Sequence, residues 1–184
     1  EGVLWFEPRG GEALTVKDVQ TGTTIGPRGQ EDRAYRGQIY VAADRHGKLS
    51  VVNLISETGL LSGLVPAEIF ASAPRPALRA QAVAARGQLL AKIGTRHLGD
   101  PYLLCAHQHC QVYAGLGREH PRTNAAVKAT RGQVLMRPDG TKLTDTVYSA
   151  NSGGHTEHNE LVWPSPADPQ LRGRPDPLLG DEFK

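Results

Sequence analysis

The stretch 77–93 constrains this chain more than any other, because there Ala, Leu, Gln, Arg and Lys dominate a sequence otherwise broken by turn formers. Its apolar residues Leu78, Ala82, Ala85, Leu89 and Ile93 recur three or four apart, the spacing of one helix face. Pro74 and Pro76 precede it and Gly94 follows it, so a helix is predicted over 77–93. With 21 glycines and 13 prolines in the 184 residues, 20 of those glycines outside this stretch, the rest of the chain has room only for short elements. With 39% hydrophobic and 22% charged residues the composition is nevertheless that of a folded protein with a real core.

Residues 1–33 alternate an apolar start (Val3, Leu4, Trp5, Phe6) with breaks at Gly10, Gly11, Gly22, Gly26 and Gly29, and read as short strands and loops. Runs 38–43 and 49–55, rich in β-branched residues and separated by Asp44-Arg45-His46-Gly47, predict a hairpin. Gly59, Gly63 and Pro66 predict irregular backbone over 56–73. A second short helix is predicted over 124–131, capped by Thr123 and stopped at Gly132. Segments 133–136 and 143–150 flank Arg137-Pro138-Asp139-Gly140 and predict another hairpin. From Trp163 onward Pro164, Pro166, Pro169, Pro175 and Pro177 predict an extended, wrapping or partly disordered tail. The expected fold is α+β and loop-rich, with mostly antiparallel sheets and hairpins. It forms one domain over 1–184: an extension 1–37, a core 38–163 and a Pro-rich tail 164–184.

Lys and Arg total 21 against 19 Asp and Glu, a net charge of +2, and aromatics are 5%, so the basic, aromatic-studded groove of a nucleic-acid binder is not expected. No run approaches the apolar length of a membrane helix. Glu1 opens on no charged-then-apolar leader, the pattern of a processed chain, so any leader or anchor is expected outside these residues.

Three stretches carry chemistry. Glu68 follows Gly63-Leu64-Val65-Pro66-Ala67 and adjoins Ile69 and Phe70. Partial desolvation in such a setting raises a carboxyl pKa toward that of a general acid, although a surface glutamate near a helix N-terminus has the same local sequence. His97, Cys105, His109 and Cys110, with His107 as an alternative, supply the two thiolates and two imidazoles of a closed structural zinc site; a Cys105–Cys110 disulfide is the competing reading. Tyr148 to Glu157 surrounds Gly153-Gly154, where small residues let backbone and hydroxyls approach a ligand or simply make a tight turn. His155 and His158 are acid/base candidates, and Tyr113 and Trp163 are candidates for stacking on a sugar or for core packing.

In order along the chain, Gly63-Leu64-Val65-Pro66-Ala67-Glu68, Ala80-Gln81-Ala82-Val83-Ala84-Ala85-Arg86, His97, Cys105, His109-Cys110-Gln111-Val112-Tyr113, Thr130-Arg131-Gly132-Gln133-Val134 and Ser152-Gly153-Gly154-His155-Thr156-Glu157 with Trp163 resemble the SpoIID/LytB family of cell-wall proteins. The resemblance spans about 38–163. It implies an extracytoplasmic peptidoglycan lytic transglycosylase that cuts the MurNAc–GlcNAc bond of stem-peptide-free strands, leaving 1,6-anhydro ends. The alternative it implies is a non-catalytic peptidoglycan-binding enhancer of a cell-wall amidase. Glu68 then matches the catalytic glutamate, and His97, Cys105, His109 and Cys110 match zinc positions of some members, with no cofactor required for catalysis. Arg86, Gln111, Tyr113, Ser149, Ser152, Gly153, Gly154 and Thr156 are the expected substrate-binding residues, Arg86 acting through an ion pair or hydrogen bond. Glu57 and Glu157 are the nearby candidates for a second carboxylate. Leu60, Ser152 and Gly87-Gln88 stand where the family favours a tyrosine, a cysteine and a threonine–tyrosine pair, departures that bear on the groove.

Overall fold

The structure, a computed structural model, describes residues 2–21 and 29–176. Its elements are β1 (Leu4–Phe6), β2 (Leu14–Thr21), β3 (Gly29–Tyr35), β4 (Gln38–Ala43), β5 (Leu49–Leu54), α1 (Glu57–Glu68), α2 (Arg75–Lys92), α3 (Pro121–Ala129) and α4 (Asn159–Val162). The fold is α+β with two antiparallel sheets, one ordered β1-β4-β5 and the other pairing β2 with β3. The predicted hairpin is present as β4 and β5, with Gln38 opposite Leu54 and Ala43 opposite Leu49. Its turn closes because Asp44 accepts from the His46 and Lys48 N–H groups and Gly47 takes a φ of 73°. The N-terminal stretch makes longer strands than expected; β2 bulges between Val16 and Val19, where Asp18 has a φ of 55°.

The main helix runs from Arg75 to Lys92 and ends before Gly94, whose φ is 77°. The segment expected to be irregular is a helix instead. Ser56 caps α1 by accepting from the Gly59 N–H at 3.2 Å, and Glu57 occupies its first turn. Two glycines and an internal Pro66 cost a helix about 5 kcal/mol. Complete burial of Leu61, Leu64 and Val65 returns roughly 5–9 kcal/mol, so packing wins over propensity. Gly63 is part of that packing: a Cβ there would stand 2.7 Å from the Gly115 carbonyl oxygen and 2.7 Å from Tyr113 Cε2.

The core joins Leu61, Leu64 and Val65 of α1 to Ala82, Ala85 and Leu89 of α2, Val127 of α3 and Tyr113 of the loop between α2 and α3. The second helix starts three residues earlier than expected: Pro121 opens α3, His120 rather than Thr123 caps it by accepting from the Arg122 N–H, and Thr123 is fully buried. The later hairpin shrinks to a turn and one bridge, Met136 with Leu143. Beyond it the Thr146 hydroxyl donates to the Ala84 carbonyl oxygen at 2.6 Å, which docks this segment on α2. The tail wraps as predicted to Asp176, through a His155–Pro175 bridge and an Arg172–Glu160 pair, while Pro177 and the residues after it lie outside the described residues.

Replacing Gly63 by alanine is expected to destabilise the protein by about 1–3 kcal/mol, because the backbone atoms it meets have no free rotamer to retreat to. Urea unfolding of the variant against the parent, at equal m-value, measures this directly.

Candidate active site and metal-ligand cluster

Glu68 closes α1 and stands at the rim of a cavity of about 200 Å³ lined by Gln88, Lys92, Gln108, Cys110, Gln111, Val112 and Tyr148. Four pieces of chain build it: the end of α1, one face of α2, the loop that follows α2, and Tyr148 from the segment between α3 and α4. Glu68 therefore sits at the carbonyl end of its helix, not near an N-terminus, an orientation that disfavours the charged carboxylate. Burial pushes its carboxyl above the ordinary value, while the Val112 N–H and the Lys92 charge pull the other way. Burial and the Glu68 charge also push the Tyr148 hydroxyl up, so Tyr148 is a neutral donor at neutral pH. Lys92 is 8% exposed and donates to the Cys110 carbonyl oxygen, which pins the loop to α2. Gln111 fastens the same loop to α2 through Ala85 O at 3.0 Å and Gln88 Oε1 at 2.9 Å.

Behind this wall the loop gathers His97, Cys105, His109 and Cys110, whose donor atoms all lie within 4.8 Å of one another. Cys110 Sγ stands 3.4 Å from His97 Nε2, and both sulfurs stand 3.7 Å from His109 Nδ1. Ligands held 2.0–2.3 Å from a tetrahedral zinc are separated by roughly 3.3–3.8 Å, which the donor types and these 3.4 and 3.7 Å separations fit, while the widest of the set, at up to 4.8 Å, would draw in around an ion. His97 adopts a φ of 57° and its Nδ1 meets Asp100 Oδ2 at 2.8 Å, the carboxylate–imidazole arrangement that aims the opposite nitrogen at a metal. Both cysteines are free thiols, and His107 lies outside the cluster.

The expected substrate-binding residues divide. Gln111 lines the cavity. Arg86 does not: it is 2% exposed, its Nε meets Glu57 Oε1 at 2.5 Å and its Nη1 donates to the Gln133 carbonyl oxygen, which makes it an internal brace and withdraws Glu57 as a second carboxylate. Tyr113 is a core residue whose hydroxyl donates to Asn53 Oδ1 at 3.0 Å, so it is not available for stacking on a sugar. Ser149, Ser152, Gly153, Gly154 and Thr156 form a turn outside the cavity lining, tied to the tail by Ser152 to Asp176 and Thr156 to Arg174. Glu157 accepts from the His158 N–H, His158 Nδ1 accepts from the Gly173 N–H, His155 Nδ1 lies 2.6 Å from the Thr156 carbonyl oxygen, and none of these three lines the cavity. Sequence reasoning gave no site role to Lys92, nor to Gln88, which it named only as a departure bearing on the groove, nor to Gln108, Val112 and Tyr148, the last two named only within motif stretches. The helical period carried a signal for the first two, since Gln88 and Lys92 are one turn apart on α2.

Three packed helices thus hold a glutamate against a Cys/His loop. The chain belongs to the SpoIID family: the family model described as "Stage II sporulation protein" matches residues 45–136, half of the chain. The match covers Glu68 and the whole Cys/His cluster and stops before Tyr148. The chain is 39% identical over 105 residues to a Bacillus subtilis protein called "Amidase enhancer", a stretch that is 57% of this chain and 14% of that one. It is 32% identical over 113 residues to an uncharacterized protein of Brachyspira hyodysenteriae, covering 61% of this chain and 30% of the other. The chain thus spans less than a third of either relative.

Removing the anion from the internal brace tests its structural role. Glu57→Ala should cost about 1–3 kcal/mol, as the Arg86 guanidinium keeps only the Gln133 carbonyl. Denaturant unfolding reads the loss, and Glu57→Ala in an Arg86→Met background should cost much less.

Proposed function

We propose that this protein acts on the cell wall as a peptidoglycan lytic transglycosylase, outside the cytoplasm, with Glu68 as its acid and base. The observation that carries the reading is that Glu68, held above its ordinary pKa, is the one carboxylate among the described residues lining the cavity. Hydrolytic glycosidases need a second carboxylate, roughly 5 Å or 7–9 Å away, to attack or to activate water. A lytic cleavage needs only one. The protonated Glu68 gives its proton to the glycosidic oxygen between N-acetylmuramic acid and N-acetylglucosamine as that bond breaks. The carboxylate then takes the proton of the muramoyl C6 hydroxyl while that oxygen closes on C1 as the 1,6-anhydro ring. The Val112 N–H bonds the Glu68 carboxyl and orients it, while Tyr148 lies within electrostatic reach of it.

We assign a structural zinc to His97, Cys105, His109 and Cys110, where the ion would hold the loop that carries Gln111 and Val112 to the cavity. Four protein donors leave no open position, so catalysis is assigned to Glu68 alone. A second reading, enhancement of a cell-wall amidase by binding glycan without cutting it, is favoured by the relative called "Amidase enhancer".

Glu68→Gln should abolish anhydromuramyl products, measured by mass spectrometry of glycan strands incubated with each protein, and should leave strand binding within about threefold. Anhydro products from the variant would remove Glu68 from the mechanism; binding without cleavage by the folded parent would favour the enhancer. Because the first step needs the protonated acid, kcat/KM should fall as pH rises through the Glu68 pKa, at a pH above the ordinary carboxyl value of about 4.3. A chain purified without chelator should carry about one zinc per molecule by atomic emission, and Cys110→Ser should lower that content; a metal-free, folded and active chain would refute the assignment.

A further inference from the structure

Lys92 is the one described cation that lines the Glu68 cavity. It is 8% exposed, and the one hydrogen bond of its ammonium goes to a neutral group, the Cys110 carbonyl oxygen. No described carboxylate stands within ion-pair distance of it. An ammonium has three donors, so two remain for a ligand. The Glu68 and Asp145 carboxyls act on that charge only from beyond ion-pair distance, so burying it without a directly paired anion is costly, and the open cavity beside it is the place from which one can come.

We propose that Lys92 is a specificity-determining residue that binds a free carboxylate of the substrate, the lactyl carboxylate on the muramoyl unit whose glycosidic bond Glu68 protonates. The inference rests on the glycan-cleaving reading above. The carboxylate belongs to the same sugar ring that Glu68 acts on, and both residues line one cavity. Attachment of a stem peptide converts the lactyl carboxylate into a neutral amide. The Lys92 ammonium then stays buried without its anion, and the site discriminates by the loss of a charged hydrogen bond rather than by size.

The test uses the Glu68→Gln protein, which holds substrate without consuming it, and calorimetric titration with three preparations of one glycan: strands with free lactyl carboxylates, the same strands methyl-esterified, and strands bearing stem peptides. Esterification should weaken binding about 10- to 100-fold, the range for one charged hydrogen bond. In Glu68→Gln/Lys92→Met the free and esterified strands should bind within about threefold of each other, and Lys92→Arg should restore most of the difference. The comparison of free with esterified strands needs no change at Lys92, so it stands even where that variant does not fold. Equal binding of free and esterified strands, or undiminished discrimination in the methionine variant, overturns the assignment. Parent protein that still yields Glu68-dependent anhydro products in that case shows that only the Lys92 assignment has failed. Failure of every strand to bind or be cleaved overturns the glycan reading and this inference with it.

Discussion

The site depends on how closely α1 approaches the backbone at Gly115. Only a glycine at position 63 allows that approach, since any Cβ would meet a carbonyl oxygen and an aromatic ring at 2.7 Å. The contact seats Leu61, Leu64 and Val65 in the core, and it fixes where α1 ends and hence where Glu68 stands. The loop on the other side serves three purposes within a few residues: Cys110 joins the metal-ligand cluster, Gln111 and Val112 line the cavity, and Tyr113 enters the core. A shift of that loop would therefore be felt at all three places. Lys92 and Gln111 tie it to α2, so the position of Val112 beside Glu68 is set by helix packing rather than by loop sequence.

What the sequence made legible follows the range of the interactions involved. The α2 helix and the β4–β5 hairpin carry their own signals in local periodicity, caps and turn residues, and both lie within a few residues of where those signals put them. The α1 helix was hidden because its favourable terms are tertiary. Gly59, Gly63 and Pro66 are breakers by propensity, and only the burial of the residues among them reverses the balance. Ser56 followed by Glu57 was the one local sign of a helix start, and it was overshadowed. The hairpin expected after α3 survives only at its turn, around the Met136–Leu143 bridge, and beyond it the Thr146 hydroxyl docks the segment on α2, a contact that no local pattern reveals.

The candidate site was legible in its residue types and less so in its assignments. The candidate metal-ligand set of His97, Cys105, His109 and Cys110, with His107 as the alternative, was already legible in the sequence; the fold adds that the backbone at His97 is left-handed, that Asp100 turns its imidazole toward Cys110, and that His107 lies outside the cluster. Arg86 and Tyr113 fall within motif blocks near Glu68 that place them among the expected substrate-binding residues, Arg86 through an ion pair or hydrogen bond and Tyr113 with core packing as its alternative. Both instead spend their polar atoms inside the protein, on Glu57, Gln133 and Asn53. Lys92 escaped notice because a lysine near the end of a helix is normally a solvated dipole partner, and nothing local distinguishes it from one that is buried.

The fate of the acidic residues bears on the chemistry more than any single motif does. Glu57 neutralises the buried Arg86, and Glu157 is engaged at the His158 N–H. That leaves Glu68 without a carboxylate partner among the described cavity-lining residues. On the proposed lytic reading, a lone acid that first gives a proton and then takes one has conflicting needs: it should hold its proton at working pH, yet not so tightly that its conjugate base is useless. The carbonyl end of α1 and partial burial favour the protonated form, whereas the Val112 N–H and the Lys92 charge stabilise the carboxylate. If substrate brings its own carboxylate to Lys92, that counterweight is neutralised on binding. The balance at Glu68 then moves toward the protonated acid when a glycosidic oxygen arrives to receive the proton.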